Sequence, residues 1–204
     1  MAVSNVSICN LALQKLGSPN RIAALSEDSA NARTMNACFE PLRDAELRRY
    51  RWKFTLSRAT LAPSATAPAF GYTYAYPVPA DFLAIIKPAR LGLDWHQENV
   101  GGQLCILTNE GATLPIRYQQ KITDPTRFDP CFVEMLACKL AWHTCDQLTQ
   151  SNTKKAALQE EYKEHRAEAR RLNAFEVHKQ PEPVDEWLAA RQTGQLVNTE
   201  WDEE

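Results

Sequence analysis

Apolar residues recur with helical spacing at both ends of the chain and with strand-like spacing in the middle. Ile8, Leu11, Ala12 and Leu16 fall on one face of a helix predicted over 5–16, which Ser4 or Asn5 can cap and Gly17 and Pro19 stop. After a connector over 20–28, a longer helix is predicted from Ser29 to Tyr50, with Ala32, Met35, Phe39, Leu42 and Tyr50 along one stripe. Pro41 lies inside that pattern, so a kink or a split is expected there.

From residue 55 to 123 the pattern changes. Most of the glycine and proline is found here, between short β-favouring runs. Strands are predicted at 54–61, 83–94, 103–108 and 113–121, with Gly101-Gly102 and Asn109-Glu110-Gly111 as hairpin turns between the last three. Residues 62–79 form a loop rich in proline and tyrosine. Helical spacing returns at Asp129-Pro130, a capping residue followed by proline at the first helical position. The run Cys131–Leu148 is apolar on most sides, as suits a central bundle helix. The next helix, Asn152 to Asn173, is amphipathic, with Leu158, Tyr162, His165, Ala169 and Leu172 on one side. Lys179–Pro183 then reads as a linker, and Asp185–Arg191 as a short helical or extended patch.

The predicted class is α+β: a mainly helical bundle of about four helices, interrupted by an antiparallel β insertion and followed by an extended C-terminal tail. The bundle takes 1–54 and 124–175, the insertion 55–123, and the tail 176–204. The 204 residues suit one ordinary domain with appendages. Charge sharpens the division. Residues 176–204 hold eight acidic side chains against Lys179 and Arg191, a net of −6, which leaves residues 1–175 at +4 within a total of −2. Such an extension either docks elsewhere or is solvated, and it is expected to order only on a partner. No apolar run approaches the roughly 20 residues of a membrane span, and the start lacks the pattern of a signal peptide. The expectation is a protein made in a cytoplasm, with no membrane partner.

Candidate chemistry changes this picture little. Cys131, Cys138 and Cys145 recur every seven residues. At ~1.5 Å rise per residue, neighbours in that set are ~10 Å apart on one helix, too far for a disulfide or one tetrahedral metal. They are expected to be small, buried and reduced. His96, His143, His165 and His178 form no metal-ligand spacing, and no nucleophile elbow, Walker loop or dinucleotide fingerprint occurs. No catalytic residue, metal or cofactor is therefore expected. Glu160, Glu161, Glu164 and Glu168 could pair as glycosidase carboxylates, but beside Lys163, Arg166, Arg170 and Arg171 they suit an ion-paired helix face better.

Two surfaces remain open to interpretation. The basic cluster Arg43, Arg48, Arg49, Arg51, Lys53 and Arg58 suits subunit or surface pairing, or a loose contact with phosphates. Phe70, Tyr72, Tyr74 and Tyr76 alternate as one strand face would; with Pro77 and Pro79 they suit either a protein-contact loop or an edge strand packed on the bundle.

The order of landmarks resembles the tail tubular protein A family, the head-to-tail adaptors of short-tailed bacteriophages. Asn10-Leu11-Ala12-Leu13 with Leu16-Gly17 is similar to that family's first helix. Ala30-Asn31-Ala32-Arg33, then Pro41 to Arg51 and Trp52-Lys53-Phe54, resembles its second helix and the aromatic corner that follows. Tyr74-Ala75-Tyr76-Pro77-Val78-Pro79-Ala80-Asp81 is similar to its Y-x-Y-P-L-P-x-D loop, with Val78 in place of the usual leucine. Arg117-Tyr118, Thr123-Asp124-Pro125 and Phe128-Asp129-Pro130 resemble the approach to its third helix, and Leu140-Ala141 and Leu148-Thr149 its continuation. The resemblance spans about 5–175.

It implies a non-enzymatic virion protein at the head-tail junction, assembled in the host cytoplasm. Twelve subunits would form a ring between the portal protein and the tail nozzle protein, with DNA passing through the bore without sequence-specific binding. Trp187, Leu188 and Arg191 would then be portal contacts, or else would fold back on the chain's own bundle. Tyr72, Tyr74 and Tyr76 would meet the nozzle or a neighbouring subunit, and Arg48, Arg49 and Arg51 DNA or a subunit. The alternative function is a tail-associated hydrolase of cell-wall peptidoglycan.

Overall fold

In a computed structural model of the chain, residues 3–88, 92–111 and 113–175 are described. They form four helices and two small antiparallel sheets, the expected α+β class. Met1–Asn173 make one compact unit; of the second, Ala174–Glu204, only Ala174 and Phe175 are among the described residues. No described helix is long and apolar enough to cross a membrane.

Local chemistry sets the helix ends. Helix α1 (Asn5–Lys15) starts in a reciprocal cap: the Ser4 hydroxyl accepts from the Ser7 amide at 3.0 Å, and the Ser7 hydroxyl accepts from the Ser4 amide at 2.8 Å. Gly17 stops it at φ +73°, a left-handed conformation that glycine adopts without steric cost. Helix α2 (Ala30–Arg49) is capped by Ser29, which accepts from the Ala32 amide at 3.2 Å. Pro41 removes one backbone donor but does not divide α2, which runs on for two more turns. The apolar stripe through Met35, Phe39 and Leu47 holds the helix in the bundle across that missing bond. Helix α3 (Pro130–Leu148) is capped by Asp129, which accepts from the Cys131 and Phe132 amides at 2.8 and 3.4 Å. It is the central helix, packed against α1 and α2. Helix α4 (Asn152–Phe175) buries Leu158, Tyr162 and Ala169.

Trp52, Phe54, Phe128 and Phe132 make a chain of ring contacts with centroids 5.2–6.1 Å apart. This cluster closes the bundle where the chain leaves for the sheets and where it returns.

The β region departs from expectation in four ways. Residues 53–55 form a 3-10 turn, so the first strand, β1, covers Leu56–Leu61. A strand β2 (Tyr74–Pro77) lies inside the predicted loop over 62–79. The predicted strand over 83–94 is shorter: β3 covers Phe82–Pro88, the described residues 92–94 lie outside any strand, and the next strand, β4 (Trp95–Val100), begins beyond the predicted range. Finally, β5 (Gln103–Thr108) and β6 (Leu114–Gln120) do not pair. Gly101-Gly102 is a hairpin turn between β4 and β5, both glycines having positive φ. Asn109–Gly111 instead carries the chain from one sheet to the other.

The first sheet has the order β1-β6-β3 and the second β2-β5-β4. The apolar alternation of β5 and β6 is equally compatible with pairing to each other. The choice is made by partners far away in sequence, which periodicity does not contain.

Candidate functional site

The first sheet is tied to the end of α2 by one buried side chain. The Gln119 amide nitrogen donates to the Leu47 carbonyl at 3.1 Å and the Tyr50 carbonyl at 2.7 Å, two acceptors left over at a helix C-terminus. Arg48 reaches across and donates to the Leu83 carbonyl of β3. The basic residues predicted as contacts therefore stand at a helix-sheet junction, and the structure divides them.

Arg43 is buried, with its guanidinium 2.8 Å from the Asp44 carboxylate and 3.7 Å from that of Glu40. It belongs to the interior of the fold. Arg49 is exposed; it pairs with the Glu46 carboxylate at 3.2 Å and donates to the Tyr162 hydroxyl at 3.0 Å. The Arg51 side chain is exposed, while its carbonyl accepts from Asn173 at 3.1 Å.

Around Arg49 is a notch of about 160 Å³ lined by Glu46, Arg49, Tyr50, Trp52, Arg166 and Arg170. Arg170 stands 4.8 Å over the Tyr50 ring and Arg166 5.7 Å from the Tyr162 ring. Glu46 is fully buried and accepts from the Tyr162 hydroxyl at 2.9 Å. Burial, with the Glu46 charge second, raises the Tyr162 pKa, so that hydroxyl stays a donor. Behind it Lys139 lies 4.1 Å over the Trp142 ring and 5.1 Å from that of Tyr162, its pKa lowered by burial. Three guanidiniums around one carboxylate make the notch attractive to an anion, a phosphate or a carboxylate.

A second group forms between α1, α3 and α4. Donor atoms of Cys138, Glu161 and His165 lie within 4.8 Å of one another. No sequence spacing links Cys138 to the other two, which sit at i and i+4 on α4; only helix packing brings them together. The Lys15 ammonium, 2.6 Å from the Glu161 carboxylate and 3.7 Å from that of Glu134, already supplies the cation. Burial is the largest single influence on Lys15 and lowers its pKa, but the bond and charge of Glu161 together with Cys138 outweigh it, and the net shift is upward. The same bond holds the Glu161 carboxyl below its usual range. Burial pushes the Cys138 thiol up to about 11, so it is neutral near pH 7, the opposite of an activated nucleophile. A glycosidic general acid needs a raised carboxyl pKa, and Glu161 has a lowered one.

Tyr76 is wholly buried, donates its hydroxyl to the Glu110 carbonyl, and belongs to the core of the β region rather than to a contact loop. Tyr74 is half-buried against the same cluster, and Tyr72 packs beside Ala75 and Leu107 with its hydroxyl 3.3 Å from Asp94. Of the two readings of this segment, the edge strand describes it, packed on the β clusters and not on the bundle. Cys9, Cys105, Cys138 and Cys145 are buried, but Cys131 and Cys38 are only half-buried; all six are free thiols. His96 and His143 are exposed. Trp187, Leu188 and Arg191 lie outside the described residues.

The chain matches no protein-family model and no curated protein.

Proposed function

We propose that this protein is a ring subunit of the head-to-tail adaptor of a short-tailed bacteriophage, joining portal to tail nozzle and leaving a bore for DNA. One observation supports this reading above the others: the residues that carry the resemblance are those that hold the junctions of this fold. The Asn10 side-chain amide donates to the Ile22 carbonyl and accepts from the Ile22 amide, both at 2.9 Å, which pins α1 to the following connector. Trp52 and Phe54 close the bundle at the exit to the sheets. Asp81 accepts from Tyr118 at 3.2 Å and Gln120 at 2.6 Å, fixing the turn before β3 to β6. Asp129 caps the central helix.

Residues with such tasks argue for a shared architecture, and function then follows by analogy of fold and landmark order. A ring subunit asks for lateral surfaces rich in charge and for no reactive centre. The long charged α4 and the basic end of α2 supply the first.

The test is mass measurement and electron microscopy of the purified protein, alone and mixed with portal. A closed ring of about twelve copies on the portal is expected. A chain that stays monomeric with portal, or that releases soluble fragments from purified cell wall, would overturn the proposal.

A further inference from the structure

Strand register places three cations side by side on the first sheet. Arg58 of β1 lies opposite Arg117 of β6, and Lys87 of β3 lies opposite the same Arg117. Directly opposed residues of antiparallel strands share a face, so the three form one row across all three strands. Arg58 and Lys87 are exposed and Arg117 is half-exposed. None of them is ion-paired to a described residue. Like charges set directly opposite one another destabilise a sheet. No described residue compensates here, and a bound anion would.

We infer that Arg58, Arg117 and Lys87 form a sequence-independent binding row for the phosphate backbone of a nucleic acid. Strands are ~4.8 Å apart, so the row is about 10 Å long, against about 7 Å of axial rise across three successive phosphates of one DNA strand, a difference that long Arg and Lys side chains can span. The chemistry is that of point charges and forks against phosphate oxygens, which position a nucleic acid without reading its sequence. This inference deepens the ring reading by naming a surface for the DNA, and it is tested without reference to the ring.

Binding of the full-length protein to a mixed-sequence duplex is measured by anisotropy over a salt series. Replacing Arg58, Arg117 and Lys87 singly by Gln should weaken binding several-fold each. The triple variant should bind at least tenfold more weakly, with a log–log salt slope smaller by about three. Its melting temperature should be equal to or above that of the parent, because the opposed charges are gone; this separates lost contact from lost fold. Unchanged affinity and slope in the triple variant would overturn the inference. So would polyglutamate displacing the duplex at equal charge, which would mark a general acidic-partner surface. Either result would leave ring formation, read by mass, to stand or fall separately.

Discussion

The helical bundle and the β region solve the same problem by different means. The bundle has one continuous core, running from Ile8 on α1 through Phe39 and Phe132 to Tyr162 on α4. The β region has two small, separate clusters, one around Tyr76, Ile106 and Ile116 and one around Ala75, Cys105 and Leu107. A thin sheet with so little apolar cover needs other ties. Here they are polar and specific: Gln119 to the end of α2, Asp81 to Tyr118 and Gln120, Tyr76 to the Glu110 carbonyl. The bundle is held by buried area in one shared core, so a truncation there is felt throughout; the sheets are held by a few bonds whose loss is felt locally.

That contrast sets an order of effects. Phe132 is fully buried among three other aromatic rings, and Phe132→Ala should cost about 3–5 kcal/mol, a large share of a domain's stability. Ile106→Ala, in the smaller β cluster, should fall near the low end of the ~2–5 kcal/mol range for such truncations. Urea unfolding compares the two directly. Equal losses would mean that the sheets depend on apolar burial as much as the bundle does.

Next comes Gln119→Leu, which fills the space but strands the Leu47 and Tyr50 carbonyls at the helix end. Leaving buried acceptors unsatisfied costs about 1–3 kcal/mol. The informative readout is hydrogen exchange. Amides of β1, β3 and β6 should lose protection while those of α3 keep it. Uniform loss across both regions would show that the first sheet has no independent hold on the bundle.

The same contrast explains what the sequence shows. All four helices are legible because their signals are local: a cap, a stripe at 3.6-residue spacing, a glycine or proline stop. Strand pairing is legible only at the Gly101-Gly102 hairpin of β4 and β5; that β5 takes β2 rather than β6 as its other neighbour rests on contacts with no local trace. Tyr76 illustrates the cost. Alternation with Tyr74 identifies a strand face but not its direction, and that face points into one β cluster, while Tyr72, ahead of β2, packs on the other. The row of Arg58, Arg117 and Lys87 is likewise invisible until register is known, although Arg58 alone stands out in the basic cluster. The Lys15–Glu161–Cys138 contact needs three helices to meet.

Cys9 gives a smaller, pH-dependent effect within the bundle. Burial pushes its thiol up to about 12, against about 8.5 in an unfolded chain. Below the lower value the thiol is neutral in both states and contributes nothing to pH dependence. Above it the unfolded chain releases the proton while the folded one retains it, so stability falls as pH rises toward 12. Cys9→Ala should flatten that alkaline decline in urea titrations between about pH 8.5 and pH 11, whatever it costs in packing at neutral pH. An unchanged slope would assign the decline to other groups.

The smallest effect is expected at Lys139, where the bundle breaks its own rule. This lysine is buried in the apolar helix α3, against the stacked Trp142 and Tyr162 rings. Burial opposes its charge and lowers its pKa; the Glu46 charge partly offsets this, and Arg49 and Arg166 add to it. Cation–π attraction returns about 0.5–2 kcal/mol and the Glu46 charge adds to it, together offsetting much of what desolvating the ammonium takes away. Lys139→Met keeps the length of the side chain and removes the charge, so stability at pH 7 should change by less than about 1 kcal/mol, with a gain as acceptable as a loss. If the bundle is held by buried area, that near-neutrality follows, because methionine covers the same rings. A loss above about 2 kcal/mol would mean that the ammonium holds the Glu46 carboxylate and Tyr162 in place. The bundle would then depend, like the sheets, on a single polar tie.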